Sequence, residues 1–183
     1  MTSDAPAPSP IGPGGTVGIL GGGQLARMLA MAAARLGLRT VILAPEAEPC
    51  AGDVAHHVIR ADYGDPAGQA ALAAAADVIT YEFENVPVEA ARALEALAPV
   101  RPGPLALDMA QDRLTEKDFL SGLGLTTAPY RAVASAAELE EAMADHGTPG
   151  ILKTRRLGYD GKGQARLAGP GDAGAAFAEL AGA

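Results

Sequence analysis

The groups best suited to holding an anion are concentrated in Lys153–Arg166, KTRRLGYDGKGQAR. Five cations (Lys153, Arg155, Arg156, Lys162, Arg166) stand against one anion, Asp160, a local balance of +4 in a chain whose net charge is -8. Two of the chain's three lysines lie here. Gly158, Gly161 and Gly163 allow the backbone to turn its N–H groups inward at φ values closed to other residues. Such amides, with cations nearby, make a concave anion site. A phosphate-rich ligand such as a nucleotide is the natural partner. The stretch lacks the G-x-x-x-x-G-K-[ST] pattern of a phosphate loop that opens a helix. Its flanks, Gly150–Lys153 and Gln164–Leu167, read as two strands, so the glycines form the tip of a hairpin that can close over phosphates. Lys153 ends an apolar run, where an unpaired buried charge is costly, and this points to a charged partner. The plainer reading is a surface hairpin with solvated cations, which is the default for Arg155 and Arg156.

Two further groups of residues invite chemistry. Gly21-Gly22-Gly23-Gln24-Leu25-Ala26 fits the G-x-G-x-x-A dinucleotide pattern between a strand and a helix, with Glu46 just past the next strand. Taken alone this suggests NAD. A helix N-terminus there would also favour the phosphate of another ligand, and a glycine turn serves close strand–helix packing as well. In Tyr81-Glu82-Phe83-Glu84-Asn85, strand alternation places Glu82 and Glu84 on one face. There they could accept hydrogen bonds from an amine, or bind helix N-termini or water. His56 and His57 have no cysteine or carboxylate at ligand spacing and read as structural. Cys50 has no neighbouring base in sequence, and His146 falls near a helix end, where its charge would complement the dipole.

These residues need elements to hold them. Thr16–Leu20, Arg39–Ala44 and Asp77–Glu82 read as strands, Val54–Arg60 contains a short one, and Pro99–Arg101 is a last short one. Helices are expected from the glycine turn to about Leu36, over Asp65–Ala76 and over Pro87–Leu97. The first carries Leu25, Leu29, Ala32 and Leu36 along one face. The alternation predicts an α/β fold, a Rossmann-like parallel sheet with helices on both faces, whose strand ends at Gly21–Gln24, Pro45–Glu48 and Glu82–Asn85 are where ligands bind. After Pro102 and Pro104 come helices at Leu105–Gln111 and Asp112–Leu123, a strand at Ala128–Val133, a helix at Ala136–Asp145, the basic hairpin and a helix at Gly171–Leu180. The organisation is a disordered tail (1–15), a Rossmann-like domain (16–103) and a second domain (104–183).

Composition narrows the class. The acidic balance argues against a general nucleic-acid binder. A single cysteine excludes an internal disulfide and a multi-cysteine zinc cluster and fits a reducing cytoplasm. The proline-rich N-terminus lacks the basic and apolar regions of a secretory signal, and no apolar run nears the roughly 18 residues of a membrane span. Neither nucleic acid nor membrane is expected as a partner. A homodimer stays open, because the sequence does not set the oligomeric state.

Four stretches, GILGGGQLARML (18–29), TYEFENVP (80–87), QDRLTEKDFL (111–120) and ILKTRRLGYDGKGQ (151–164), occur in an order and spacing that resemble the ATP-grasp superfamily. Within it they are similar to the 5-(carboxyamino)imidazole ribonucleotide synthases of purine biosynthesis. The resemblance implies a pre-ATP-grasp domain followed by the first part of an ATP-grasp domain. It also implies an ATP-dependent ligase. ATP would phosphorylate bicarbonate to carboxyphosphate, and the carboxyl group would pass to the exocyclic amine of 5-aminoimidazole ribonucleotide. Arg113, Lys153 and the loop Gly158, Tyr159, Asp160, Gly161, Lys162, Gly163 and Gln164 would contact ATP. Tyr159, Asp160 and Lys162 would face the reacting groups as catalytic residues. Gln24 and Leu25 would hold the substrate's ribose phosphate, and Glu82 its amine.

Family members continue about as far again as this chain, judged by the size of a complete grasp domain with a C-terminal domain. The resemblance therefore places the Mg²⁺ ligands beyond Ala183 and implies that the chain by itself is inactive. Three other readings stand beside it: a formate-dependent glycinamide ribonucleotide formyltransferase, an NAD-dependent oxidoreductase built on the first domain, and a non-catalytic fragment that binds a nucleotide.

Overall fold

Short apolar runs separated by crossover connections assemble into a parallel sheet because each crossover returns the chain to the same end of the sheet before the next strand begins. The structure, a computed structural model, describes residues 10–158 and 161–181. It divides into two units, 1–108 and 109–183. Tyr159 and Asp160, both assigned a role above, lie outside the described residues.

In the first unit four strands, β1 (Thr16–Leu20), β2 (Arg39–Ala44), β3 (His57–Arg60) and β4 (Val78–Tyr81), lie in the order β3-β2-β1-β4, all parallel. Pro99–Arg101 contributes a single parallel bridge, Val100 to Ile79, instead of a strand. Side-chain alternation sends Leu20, Val41 and Leu43 to one face and Ile19, Ile42 and Ala44 to the other. Helices α2 (Pro66–Ala75) and α3 (Val88–Glu95) cover the first face through Leu72, Val88, Ala91 and Leu94. Helix α1 (Gln24–Arg35) covers the second through Ala26. Both faces of the sheet are thereby covered. Asp65 opens α2 by accepting from the Gly68 amide at 2.7 Å, with Pro66 at the first helical position.

The buried face of α1 differs from the expected one. Ala26, Ala30 and Ala33 pack inward, whereas Leu25, Leu29 and Leu36 are exposed. Ala26 packs with Ile19, Ile42 and Ala44 on the sheet face that α1 covers, and spacing alone cannot tell a leucine stripe from an alanine stripe offset by one residue. Residues 10–15, assigned above to the tail, are tied to this unit by hydrogen bonds from Gly14 N to Gly37 O and from Arg39 N to Gly15 O.

Helix α4 (Pro104–Gln111) spans the boundary between the units and buries Leu107 in the first core. The second unit contains α5 (Arg113–Gly122), α6 (Ala136–His146), the antiparallel hairpin β5 (Gly150–Lys153) and β6 (Gln164–Leu167), and α7 (Ala173–Ala181). Its core is Leu139, Met143, Leu167, Ala173 and Ala176, with Leu152 and Ala165 packed against it. Ala128–Val133 does not form the expected strand. Its backbone is met by side chains, as where Lys117 donates to Ala128 O at 3.1 Å, and Arg131 pairs with Glu141 and Asp145 of α6.

Candidate functional site

The carboxyl ends of β1 and β4 meet at the glycine turn. Gly21 adopts φ +108, in the left-handed region that a side chain resists, and a Cβ there would strike the Glu82 carboxylate. Glu82 lies immediately after β4 and turns towards α1. Its Oε1 accepts from the Gly23 amide at 2.8 Å and its Oε2 from the Ala26 amide at 2.7 Å. One carboxylate therefore satisfies two of the four orphan donors at the start of α1 and complements the helix dipole. The Gln24 and Leu25 amides lie between those two donors and have no hydrogen-bond partner among the described residues. They are the two positions assigned to the substrate phosphate.

The shared-face argument for Glu82 and Glu84 stops at Tyr81, where the strand ends. Glu84 takes no part in holding α1. The Glu82 arrangement also weighs against a dinucleotide reading. A pyrophosphate at this helix would meet a fixed carboxylate on the amides it needs.

Around the turn, Ala51 donates to Gly22 O at 2.8 Å and the Cys50 thiol donates to Gln24 Oε1 at 3.2 Å. Arg27 donates to Cys50 O and pairs with Asp53 at 2.7 Å. Cys50 is therefore in contact with a candidate substrate residue, a link that a separation of 26 positions hid from sequence reading. Burial, with the nearby charges of Glu46 and Glu82, pushes the Tyr63 hydroxyl up to about 12. His56 Nδ1 accepts from the Thr40 amide at 3.3 Å, a structural role.

In the second unit the hairpin has one covered and one open face. Leu152, Ala165 and Leu167 face the core. Ile151, Lys153, Gln164 and Arg166 occupy the exposed positions, with Ile151 opposite Arg166 and Lys153 opposite Gln164. Lys153 is therefore not a buried charge, contrary to the argument from the apolar run. Only one face of the two-stranded sheet is covered, and Lys153 is on the other. Gly163 turns at φ +65 and its carbonyl accepts from the Thr154 amide at 2.8 Å, closing the loop's base, while Gly161 turns at φ +76. Lys162 is exposed near the tip.

Arg113, at the first position of α5, donates from Nη2 to Gly158 O at 2.6 Å, which joins two of the predicted nucleotide contacts directly. Asp112 was not singled out for the site, yet it is central to it. It caps α5 by accepting from the Leu114 and Thr115 amides, and it pairs with Arg155 at 2.6 Å and Arg156 at 3.6 Å. Burial pushes its carboxyl up, but the hydrogen bonds from Arg155 and the two amides outweigh that and hold it below the ordinary carboxylate value. The expected helix began at Asp112 itself, whereas the residue is the cap that precedes α5. Its pairing across 43 residues had no local signal.

A parallel sheet with a carboxylate-capped glycine turn, followed by a unit with a basic glycine hairpin, is the arrangement of a pre-ATP-grasp domain leading into an ATP-grasp domain. The chain belongs to the family described as the ribonucleotide synthetase pre-ATP-grasp domain, which it matches over residues 15–111, with an ATP-grasp domain matched over 118–183. It is 60% identical to the N5-carboxyaminoimidazole ribonucleotide synthase of Brucella melitensis over 85% of this chain and 43% of that protein.

Among solved structures, the ADP complex of an N5-carboxyaminoimidazole ribonucleotide synthetase is 41% identical, with a TM-score of 0.86 over 93% of this chain and 45% of that one. The Aspergillus clavatus synthase in complex with ADP and 5-aminoimidazole ribonucleotide is 26% identical, with a TM-score of 0.77 over 91% of this chain and 44% of that one. The chain thus spans under half the length of these relatives. Among the described residues no helix is long and apolar enough to cross a membrane.

Proposed function

We propose that this chain forms the substrate-binding domain and the phosphate-binding hairpin of a 5-(carboxyamino)imidazole ribonucleotide synthase. In the reaction a bicarbonate oxygen attacks the γ-phosphorus of ATP and ADP leaves. The amine of 5-aminoimidazole ribonucleotide then attacks the carboxyphosphate carbon, phosphate departs, and the amine proton is lost. The two unpartnered amides at Gln24 and Leu25 suit the ribose phosphate. Each Glu82 oxygen uses one acceptor position on α1 and retains another, which suits the exocyclic amine. Lys153, Gln164 and the glycine tip suit the nucleotide phosphates, whose transfer is favoured chiefly by positioning and by neutralisation of charge. Tyr159, Asp160 and Lys162 are assigned to the reacting groups, and Arg113 to the nucleotide.

Mg²⁺ is the expected companion of ATP in this chemistry. The described residues do not fit it, since none of them form a group of three or more His, Cys, Asp or Glu placed to hold a metal. A cytoplasmic location suits a pathway that works on phosphorylated small molecules. A homodimer is compatible with this reading.

The observation that carries the proposal is the open hairpin face, where Lys153 and Gln164 stand opposite each other beside the glycine turn. The test joins this chain to the part of the Brucella relative that lies beyond the match. Phosphate release should require ATP, bicarbonate and 5-aminoimidazole ribonucleotide together. Turnover with formate and glycinamide ribonucleotide instead, or NADH binding by fluorescence with no carboxylation, would replace this reading.

A further inference from the structure

The entry to the glycine hairpin is gripped by the two residues that open α5. We propose that Asp112 is a positioning residue, which fixes the limb Thr154–Gly158 through Arg155 and thereby sets the hairpin for nucleotide. The functional half of this inference rests on the reading above.

The contacts converge from both chain segments. Arg155 donates from Nε to Asp112 Oδ1 at 3.1 Å, and its Nη2 lies 2.6 Å from Oδ2, a two-pronged pair of the strongest kind. Arg156 Nε lies 3.6 Å from the same Oδ2. In the opposite sense, the Arg113 amide donates to Arg155 O at 3.0 Å and the Arg113 side chain to Gly158 O at 2.6 Å. Thr154 then ties the limb to the far side of the loop at Gly163. Asp112 is 6% exposed. A carboxylate so enclosed needs cationic partners, and the two arginines supply them. Arg155 and Arg156 thus act as anchors to Asp112, and ligand contact falls to the open face that carries Lys153 and Arg166. Asp112 reaches the ligand only through the loop it holds.

Asp112→Asn separates the two duties of the side chain, because asparagine caps a helix about as well as aspartate but lacks the charge that binds Arg155. Arg155→Met removes the same pair from the other side. Hydrogen exchange on the chain should show the Arg113 and Thr154 amides exchanging at least tenfold faster in both variants. Amides in the middle of α5 should change less than twofold. In the joined protein, KM for ATP should rise about tenfold with kcat within threefold, whereas Arg131→Gln, in the segment that pairs with α6, should leave both unchanged.

Equal acceleration throughout α5, or no acceleration at the two reporter amides, would overturn the proposal. So would a released limb with an unchanged KM. Absence of turnover in the unaltered joined protein would overturn the proposed function instead, and the exchange results would then decide the role of Asp112 alone.

Discussion

Glu82 and Gly21 occupy each other's space: the carboxylate that caps α1 lies where any side chain at position 21 would have to go. The turn is thus built around the carboxylate, and the two must be read as one unit. Gly21→Ala would force a residue with a Cβ to hold φ +108 and would also displace Glu82. It is expected to destabilise the chain by about 2–4 kcal/mol, the sum of backbone strain and a lost cap, measured by urea unfolding.

Replacing Glu82 itself distinguishes charge from shape. Glu82→Gln keeps one acceptor oxygen but removes the anion from the helix N-terminus. A loss of about 0.5–1.5 kcal/mol is expected. The same variant in the joined protein should raise KM for 5-aminoimidazole ribonucleotide more than KM for ATP, as read from initial rates.

The inverted face of α1 gives a contrast within a single helix turn. Leu29→Gln alters an exposed position and should shift stability by less than about 0.5 kcal/mol. Ala30→Leu overfills a position that is 1% exposed and should cost about 1–3 kcal/mol. Thermal melts of the two variants decide which face is buried.

Tyr63 supplies a pH signature. Its folded value of about 12 lies above the ordinary 10.0. A raised folded value means the folded state holds the proton more tightly, so this contribution to stability is complete below pH 10 and fades as pH rises towards about 12. Ultraviolet titration of phenolate should show a component near that value that Tyr63→Phe removes.

Lys153 and Gln164 test the hairpin. Lys153→Met should weaken ATP affinity about tenfold, ~1.4 kcal/mol, with no change in melting temperature because the side chain lies on the open face. A fall in stability comparable to that of a core variant would place Lys153 in a structural role.

Sequence by itself determined the strand–helix alternation, the glycine turn, the hairpin with its basic tip and the cap at Asp65. Each depends on neighbours within a few positions, where periodicity, φ preference and side-chain capping act. It also carried the four stretches that mark the family. Tertiary structure decided what local pattern could not. The second face of the sheet took the alanine face of α1 and left the leucine face exposed. The end of β4 at Tyr81 freed Glu82 to reach α1. Single-sided cover of the hairpin left Lys153 exposed. Asp112 gained two arginines from a segment more than forty residues away. These outcomes depend on which surfaces meet once the chain is folded, and pairings between distant segments leave no periodic trace in a single sequence.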